Sequence, residues 1–330
     1  MDVRIENEIM KEDPVFYRER GEDCTKTAMC WGIECGDGWR DPLMELARKT
    51  RTLNSVLAPL NRCLVGKQVK QKWAGLRVYW DMEFLDPSVE NVLSEDDQRT
   101  ADTACALMDD AVMEAERECE WTCEECGYKG AEWRDDIVTT SGGWMQRLCV
   151  KCAIRPMMTD GVVRSFRNGL QCLGPFASGL VRGPDGRTYG CFIGMYYSML
   201  YPEHEAVFSR ITSPREAQDI AVDMGLPRDD DYASNVMRIC VAAKCADARV
   251  RETLLLTGKV PIVHSNYCHE NYWGSCQCDQ CGGVSGKNMY GRILMEARDQ
   301  IEREEGASSS SSVKDEPVLH EHEVKRRGKK

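Results

Sequence analysis

The chain lacks a long hydrophobic run and an apolar leader. No stretch of its 330 residues approaches the roughly 20 apolar residues that span a bilayer, and the opening MDVRIENEIMKEDP has no apolar signal region. Positive charge is also in deficit, since 43 Lys and Arg against 54 Asp and Glu give a net charge of −11. This balance argues against a general binder of nucleic acid or anionic membranes. The sequence predicts a soluble, cytoplasmic protein.

Cysteine is the residue in excess, with 18 copies. A secreted chain of this kind would be stapled by disulfides, whereas a chain without an export signal should keep its thiols reduced. We therefore expect metal ligands and buried free thiols among the cysteines. The length predicts two or three folded domains.

Composition and periodicity divide the chain into five parts and predict an α+β fold. The parts are a flexible arm (1–20), a small α+β domain (21–118), a zinc ribbon (119–160), a mostly helical domain (161–305) and a disordered tail (306–330).

Local signals place several elements within these parts. Ser94 with Asp97 resembles a capping box, Ser213 before Pro214 marks another helix start, and residues 78–80 alternate as a short strand. Asp41 before Pro42 is typical of an N-cap followed by the first helical residue. Apolar spacing predicts further helices within 232–257 and over 288–305.

Two CxxC pairs form the clearest motif. Cys123 and Cys126 are followed, after 22 residues, by Cys149 and Cys152. Each pair can direct two thiolates at one tetrahedral Zn²⁺. Four soft ligands leave no open coordination position, so we expect structural zinc that stabilises a ribbon with little core of its own. The alternatives are four unrelated buried cysteines or a redox pair.

A second cysteine cluster lies near the C-terminus. Cys276, Cys278 and Cys281 follow a C-x-C-x-x-C pattern, with Cys268 and His269 just upstream. Three thiolates plus one of those two side chains could complete a second metal site. The short C-x-C step is less typical of zinc, so a reduced, loop-packing cluster is an equal alternative.

Residues 30–153 resemble an uncharacterised domain found in bacteriophage proteins. Residues 35–39 spell its CGDGW turn, residues 70–79 match its KxKFGxLRxY strand, and the two CxxC pairs follow with a GW between them. The resemblance carries no known activity. It implies that the ribbon and the preceding part form one unit and that the chain is encoded by a phage or prophage.

Residues 165–303 resemble the NADAR family, which is associated with NAD and ADP-ribose metabolism. The matching segments are LGPF at 173–176, DGRTY at 185–189, SPREA at 213–217, AK at 243–244, LLLTG at 254–258, WG at 273–274 and GKNMYGRILMEAR at 286–298. The resemblance implies an N-glycosidase fold that cleaves a bond between ribose and nitrogen, as in ADP-ribosylated guanine. Such a reaction needs a carboxylate near the transition state and a proton donor for the leaving group.

The family's central motif, (S/T)VEHxxQxxK, falls on residues 191–200, where its ionisable residues are missing. Ile193 stands in place of the glutamate, Gly194 of the histidine, Tyr197 of the glutamine and Leu200 of the lysine. Losing one general acid or base typically costs about 10²–10⁴-fold in rate. The sequence therefore predicts a degenerate catalytic motif.

Other side chains could supply the missing groups. A shift of the motif by ten residues would use Glu203 and His204. A relocated acid–base group could instead consist of His264, His269 and Glu270. The alternative for these two histidines is ordinary loop hydrogen bonding or metal ligation.

Four residues are candidates for ligand binding. Trp273 could stack on a purine, Arg292 and Arg298 could pair with a diphosphate, and Asn288 lies in the same matching segment as the arginines. The alternatives are a core anchor for the tryptophan and a solvated surface for the arginines.

These features predict a phage-encoded, NADAR-like protein of ADP-ribose and N-glycosyl metabolism, located in the host cytoplasm. Its expected cofactor is structural Zn²⁺, and its expected ligand is an ADP-ribose-containing nucleotide or ADP-ribosylated guanine. The alternative is a non-catalytic nucleotide-binding protein or an interaction scaffold. The sequence does not decide between these and an active N-glycosidase of the ADP-ribosyl hydrolase type.

Overall fold

The computed structural model describes residues 1–130, 137–140, 143–159, 161–164, 166–281 and 286–311. The chain divides into two compact units, Met1–Gly174 and Pro175–Lys330. Helix accounts for 52% of the structure and strand for 14%, so the predicted α+β class is confirmed. No helix in the described ranges has both the length and the apolar content to cross a bilayer.

The first unit is built on a three-stranded sheet covered by helices. Its described helices are α1 (Val3–Glu12), α2 (Arg40–Leu57), α3 (Glu95–Glu120) and α4 (Val150–Thr159). Its described strands are β1 (Ile33–Glu34), β2 (Arg62–Lys72), β3 (Gly75–Phe84), β4 (Ile137–Thr139) and β5 (Arg147–Cys149). β2 pairs antiparallel with β3 and parallel with β1, while β4 and β5 form a separate antiparallel pair. α2 contacts β2, and α3 contacts both α2 and β3.

Residues 1–20, predicted as a flexible arm, instead form part of this core. Ile9 and Phe16 are completely buried. Glu6, also buried, accepts a hydrogen bond from the backbone N–H of Ile33 at 3.0 Å. The polar composition of this segment concealed a narrow apolar face, which the rest of the unit covers.

The turn over residues 35–39 packs directly on the first CxxC pair. The backbone N–H of Gly38 donates to the carbonyl oxygen of Glu124 at 2.8 Å. A Cβ atom at Gly38 would lie 2.1 Å from the carbonyl oxygen of Cys123. Only glycine permits this close approach, which explains on steric grounds why the CGDGW motif has glycine at position 38.

One expectation about the cysteines is overturned. Cys24 and Cys30 form a disulfide, with their Cα atoms 5.2 Å apart. A short helical turn over Ala28–Trp31 brings the second cysteine back towards the first and within the range that a disulfide requires. The four cysteines of the CxxC pairs, by contrast, are free thiols.

The second unit is mostly helical. Its described helices are α5 (Phe192–Leu200), α6 (Glu205–Phe208), α7 (Pro214–Asp223), α8 (Asp230–Lys244), α9 (Ala248–Leu256) and α10 (Met289–Ser311). Its described strands are β6 (Val181–Arg182), β7 (Thr188–Tyr189), β8 (Ser265–Asn266) and β9 (Ser275–Cys276). β6 and β7 are antiparallel, and β8 and β9 are parallel. α5 contacts α6, α7 and α8, and most of its residues are buried.

The predicted local signals can be compared with these bounds. The hydroxyl of Ser94 accepts from the backbone N–H of Asp97 at 3.1 Å, so Ser94 caps α3 as predicted. The predicted start of α7 is confirmed too, because Ser213 accepts from the N–H of Glu216 at 3.3 Å. The predicted cap at Asp41 is wrong by two residues, since Trp39 occupies that position.

The boundaries near the C-terminus also differ from the sequence prediction. The division of the chain into two units falls after Gly174, whereas composition placed the start of the mostly helical domain at residue 161. The tail predicted to be disordered over 306–330 begins within α10, which continues to Ser311. Residues 312–330 lie outside the described residues.

Replacing Ile9 tests whether the N-terminal helix belongs to the core. Ile9→Ala should lower the free energy of unfolding by about 2–5 kcal/mol, because it leaves a cavity. Val3→Ala, at a position on the same helix that is 61% exposed, should change it by less than about 0.5 kcal/mol. Tryptophan fluorescence in guanidinium measures both, and equal effects would contradict the placement.

Candidate ligand pocket and metal clusters

The second unit contains a pocket of about 700 Å³. This volume is in the range of small-molecule sites. Apolar and aromatic side chains form most of its wall, including Phe176, Ile193, Tyr196, Tyr197, Trp273 and Tyr290. Polar side chains enter from two places, α7 with its cap and the loop that contains β8, and include Arg215, Gln218, His264, Cys268 and Glu270.

Trp273, predicted as a stacking residue, does line this pocket. Its ring makes edge contacts with Tyr196 and Tyr272, at centroid distances of 5.9 and 5.0 Å. Arg228 lies 4.7 Å from the ring of Tyr272. These contacts fix the indole while leaving it half-buried, so part of its surface faces the pocket.

Three of the four positions compared with the NADAR motif, those of Ile193, Gly194 and Leu200, are apolar, sterically closed or away from the pocket. Ile193 lines the pocket where the motif has glutamate. A Cβ atom at Gly194 would lie 2.6 Å from the carbonyl oxygen of Phe208, so a histidine does not fit there without a backbone shift. Leu200 is buried and is not among the residues lining the pocket.

Glu270, predicted as catalytic, lines the pocket but is engaged with the backbone. One carboxylate oxygen accepts the N–H of Tyr272 at 3.1 Å, and the other accepts the N–H of Gly274 at 2.8 Å. The side chain amide of Asn266 donates to its carbonyl oxygen at 2.6 Å. Glu270 therefore caps the turn that presents Trp273.

His264, also predicted as catalytic, shares the pocket with Glu270. Its ring meets Tyr290 edge-on, with centroids 5.6 Å apart. Burial lowers the pKa of His264 below its usual 6.5, and the charge of Glu270 opposes that shift only in part. The imidazole is therefore neutral at pH 7 and is a weak proton donor.

The third predicted catalytic residue, His269, lies elsewhere. Its Nδ1 is 3.3 Å from the sulfur of Cys278 and 3.4 Å from that of Cys281. It is not among the residues that line the pocket. The structure therefore groups His269 with the second cysteine cluster rather than with Glu270.

Asn288, predicted to bind ligand, instead joins two backbone segments. Its side chain donates to the carbonyl oxygen of Ile262 at 2.8 Å and accepts the N–H of His264 at 2.9 Å. Asn288 is not among the pocket residues; it positions the segment that contains His264.

The two arginines predicted to bind a diphosphate do not line the pocket either. Arg298 is buried, and its guanidinium donates to the hydroxyl of Thr257 at 2.8 Å and to the carbonyl of Val260 at 2.9 Å. Arg292 is exposed on α10. The arginine that does line the pocket is Arg215, which the sequence analysis used only as part of a helix start.

The alternative register of the motif is not supported. Glu203 is exposed, and His204 is half-buried. Neither residue is among those that line the pocket. The shift by ten residues thus offers no acid or base to a bound molecule there.

The first cysteine cluster is assembled as its spacing predicts. The sulfurs of Cys123, Cys126, Cys149 and Cys152 all lie within 4.8 Å of one another and could hold a metal ion. A hydrogen bond from Cys149 lowers the pKa of the Cys123 thiol to about 4, and the same contact raises the pKa of Cys149. The cluster thus favours a thiolate, the form of cysteine that binds metal.

The second cluster selects one of the two predicted fourth ligands. The ligand atoms of His269, Cys276, Cys278 and Cys281 lie within 4.8 Å of one another and could also hold a metal ion. Cys268 is not in this group: it is exposed, and its thiol lies 3.5 Å from the side chain oxygen of Asn266.

A solved structure of another protein matches part of this chain. The NMR structure of the E. coli protein YbiA, of the NADAR family, matches at 22% sequence identity and a TM-score of 0.37, over 48% of this chain and 90% of that chain. A likeness this weak carries no argument about function. No family model matches the chain, and a search of curated proteins found no significant match. Fold and site together define an α+β protein with an aromatic pocket and two thiol-rich clusters.

The protonation of His264 can be measured directly. Burial lowers the pKa of His264 in the folded protein. As pH falls, His264 is therefore protonated in the unfolded state at a higher pH than in the folded state. The stability that the neutral ring contributes is therefore present above the usual pKa of about 6.5 and is lost below it. NMR titration, with His264→Gln to assign the resonance, should give a midpoint below 6.5. A midpoint at or above that value would contradict the buried, neutral state.

Proposed function

We propose that the second unit binds a nucleotide of the ADP-ribose class in this pocket and does not hydrolyse it. The observation that carries the proposal is the composition of the pocket wall, which sets several aromatic rings beside one guanidinium. The hydroxyl of Tyr196, a wall residue, is enclosed and has no hydrogen-bond partner among the described residues. Buried polar groups are almost always paired, and an unpaired one needs an explanation. A small movement of this side chain on binding would let a polar group of the ligand pair with the hydroxyl.

The rest of the wall suits a molecule that is aromatic at one end and anionic at the other. Trp273 and Tyr197 offer ring surfaces on which a purine can stack. Arg215 offers a planar cation that pairs with phosphate through two hydrogen bonds. It lies in the first turn of α7, where the helix dipole also favours negative charge.

Hydrolysis has less support in the same pocket. Of the described residues, Glu270 is the one carboxylate that lines it, and both of its oxygens already accept backbone N–H groups. Burial raises the pKa of Tyr196 and Tyr197, so both hydroxyls stay protonated. With Ile193 at the motif's glutamate position, no free base faces a bound sugar from α5.

Tyr196→Phe is the sharpest test of binding, because it removes only the unpaired hydroxyl. ADP-ribose affinity, measured by calorimetry, should fall about five- to tenfold, the value of one hydrogen bond. Stability without ligand should stay the same or rise. Tyr232→Phe, at a hydroxyl 51% exposed on α8, is the control and should change neither quantity.

Two larger changes test the contacts proposed for the purine ring and the phosphates of ADP-ribose. Trp273→Ala should weaken ADP-ribose binding by about 1–3 kcal/mol, the usual value of stacking, and Arg215→Gln should also weaken it. Trp144→Ala, at an indole 73% exposed, and Arg303→Gln, at an exposed position of α10, are the controls. Absence of binding to the unaltered protein would favour an interaction scaffold instead.

Catalysis is tested in the same samples with ADP-ribosyl-guanosine. The protein should bind ADP-ribosyl-guanosine without releasing ADP-ribose. Chromatography of the reaction mixture measures the release. Release that Glu270→Gln abolishes would show an active N-glycosidase and overturn the non-catalytic proposal.

We also propose that the first cysteine cluster holds Zn²⁺ in a structural role. Four thiolates match the tetrahedral preference of Zn²⁺ and leave no position for a substrate. The strands β4 and β5 are only three residues long, and the apolar cluster around them is small. A metal bond is the kind of contact that stabilises so small a core.

Metal content tests the ribbon assignment. Cys126→Ser, at the exposed ligand, should lose one equivalent of zinc relative to the unaltered protein. Cys105→Ser, at a free cysteine outside both clusters, should lose none. Elemental analysis with native mass spectrometry measures both. A zinc content that Cys126→Ser leaves unchanged would contradict the assignment.

A further inference from the structure

We propose that His269, Cys276, Cys278 and Cys281 bind a second Zn²⁺, and that this ion holds the wall of the ligand pocket in place. The metal site rests on geometry alone. Its effect on ligand binding rests on the proposed function, and the experiments below keep the two apart.

The donor set fits one tetrahedral ion. Sulfurs about 2.3 Å from Zn²⁺ lie about 3.8 Å from one another, and a histidine nitrogen lies slightly closer. The Nδ1 of His269 is 3.3 Å from the sulfur of Cys278 and 3.4 Å from that of Cys281. All four donor atoms fall within 4.8 Å of one another.

The backbone is set up to present these donors. His269 has a φ of +64°, which few residues other than glycine adopt. Since its ring is directed at two cysteine sulfurs in that conformation, the unusual backbone places a donor at the cluster. A contact with a metal ion would offset the cost of that conformation.

A second layer of contacts holds the cysteines. The side chain oxygen of Asn271 accepts the N–H of Cys276 at 2.8 Å, and its side chain nitrogen lies 3.6 Å from the sulfur of Cys281. Such outer partners orient ligands at metal sites and often set metal affinity. Asn271 also accepts the N–H of Lys287 at 2.7 Å through its carbonyl, which ties the cluster to the segment preceding α10.

The same short loop carries the pocket wall. Glu270 lies between His269 and Asn271 in the chain, and its carboxylate caps the turn that presents Trp273. The carbonyl of Trp273 accepts the N–H of Tyr290 at 2.9 Å. Metal ligands and pocket residues thus alternate along one loop, so an ion that fixes the ligands also fixes the wall.

Removing the ion should therefore loosen the pocket. Without an ion, these side chains contact one another through hydrogen bonds to sulfur, as between His269 and Cys278 or between Asn271 and Cys281. Hydrogen bonds of this kind are weak. Without the ion, the loop would keep its backbone hydrogen bonds and lose its strongest restraint.

Zinc counting tests the site itself. The unaltered protein should contain two equivalents, Cys278→Ser one, Cys126→Ser one and Cys105→Ser two, by elemental analysis and native mass spectrometry. His269→Asn provides a second variant at an exposed position, and it too should hold one equivalent. A zinc content that neither Cys278→Ser nor His269→Asn lowers would overturn the site.

Ligand affinity tests the coupling. Cys278→Ser should weaken ADP-ribose binding about tenfold or more, whereas Cys126→Ser, which also loses one zinc ion, should leave it unchanged. Loss of the second zinc ion without any loss of affinity would overturn the coupling but not the site.

If the unaltered protein does not bind ADP-ribose, that result counts against the proposed function alone. Hydrogen exchange then tests whether the second zinc ion holds the pocket wall in place. Backbone amides over residues 264–276 should then exchange faster in Cys278→Ser than in Cys126→Ser. Equal exchange rates in the two variants would overturn the coupling. Circular dichroism confirms that each variant is folded before either measurement.

Discussion

The carboxylate of Glu270 provides the contact on which the pocket depends. Its two oxygens accept N–H groups from Tyr272 and Gly274, and this double contact closes the turn that places Trp273 against Tyr196. A carboxylate used in this way is part of the architecture. The same group in an N-glycosidase would have to face the sugar, so the backbone contacts and the chemistry compete for the same two oxygens.

The electrostatics of the pocket follow from that competition. Burial keeps His264 neutral and the tyrosine hydroxyls protonated, while Ile193 contributes no charge. The pocket wall presents ring surfaces and the guanidinium of Arg215, the two features on which the proposed ligand binding depends. Each unit also has short strands beside a cysteine-rich cluster. A metal ion bound there would supply stability that a small core does not.

Several features could be predicted from sequence because they are local. A CxxC pair turns its two sulfurs to one side whatever surrounds it, and Ser94 or Ser213 caps a helix through a residue three positions away. The α+β class followed from the same short-range patterns. The N-terminal helix was missed, since its apolar face is narrow and becomes significant only when Ile9 packs into the core, where α1 contacts α2.

The sequence by itself determined the helix starts at Ser94 and Ser213, the four-cysteine spacing and the absence of carboxylate, imidazole and amine side chains from α5. Only the tertiary structure decided which candidate residues meet. It places His269 beside the cysteines of the second cluster and Arg215 at the pocket. It shows that Asn288 and Arg298 hydrogen-bond to backbone carbonyls, and that Cys24 pairs with Cys30. The physical reason is range: caps and metal knuckles are set by neighbours in the chain, whereas a pocket joins segments whose separation in space depends on how every helix packs.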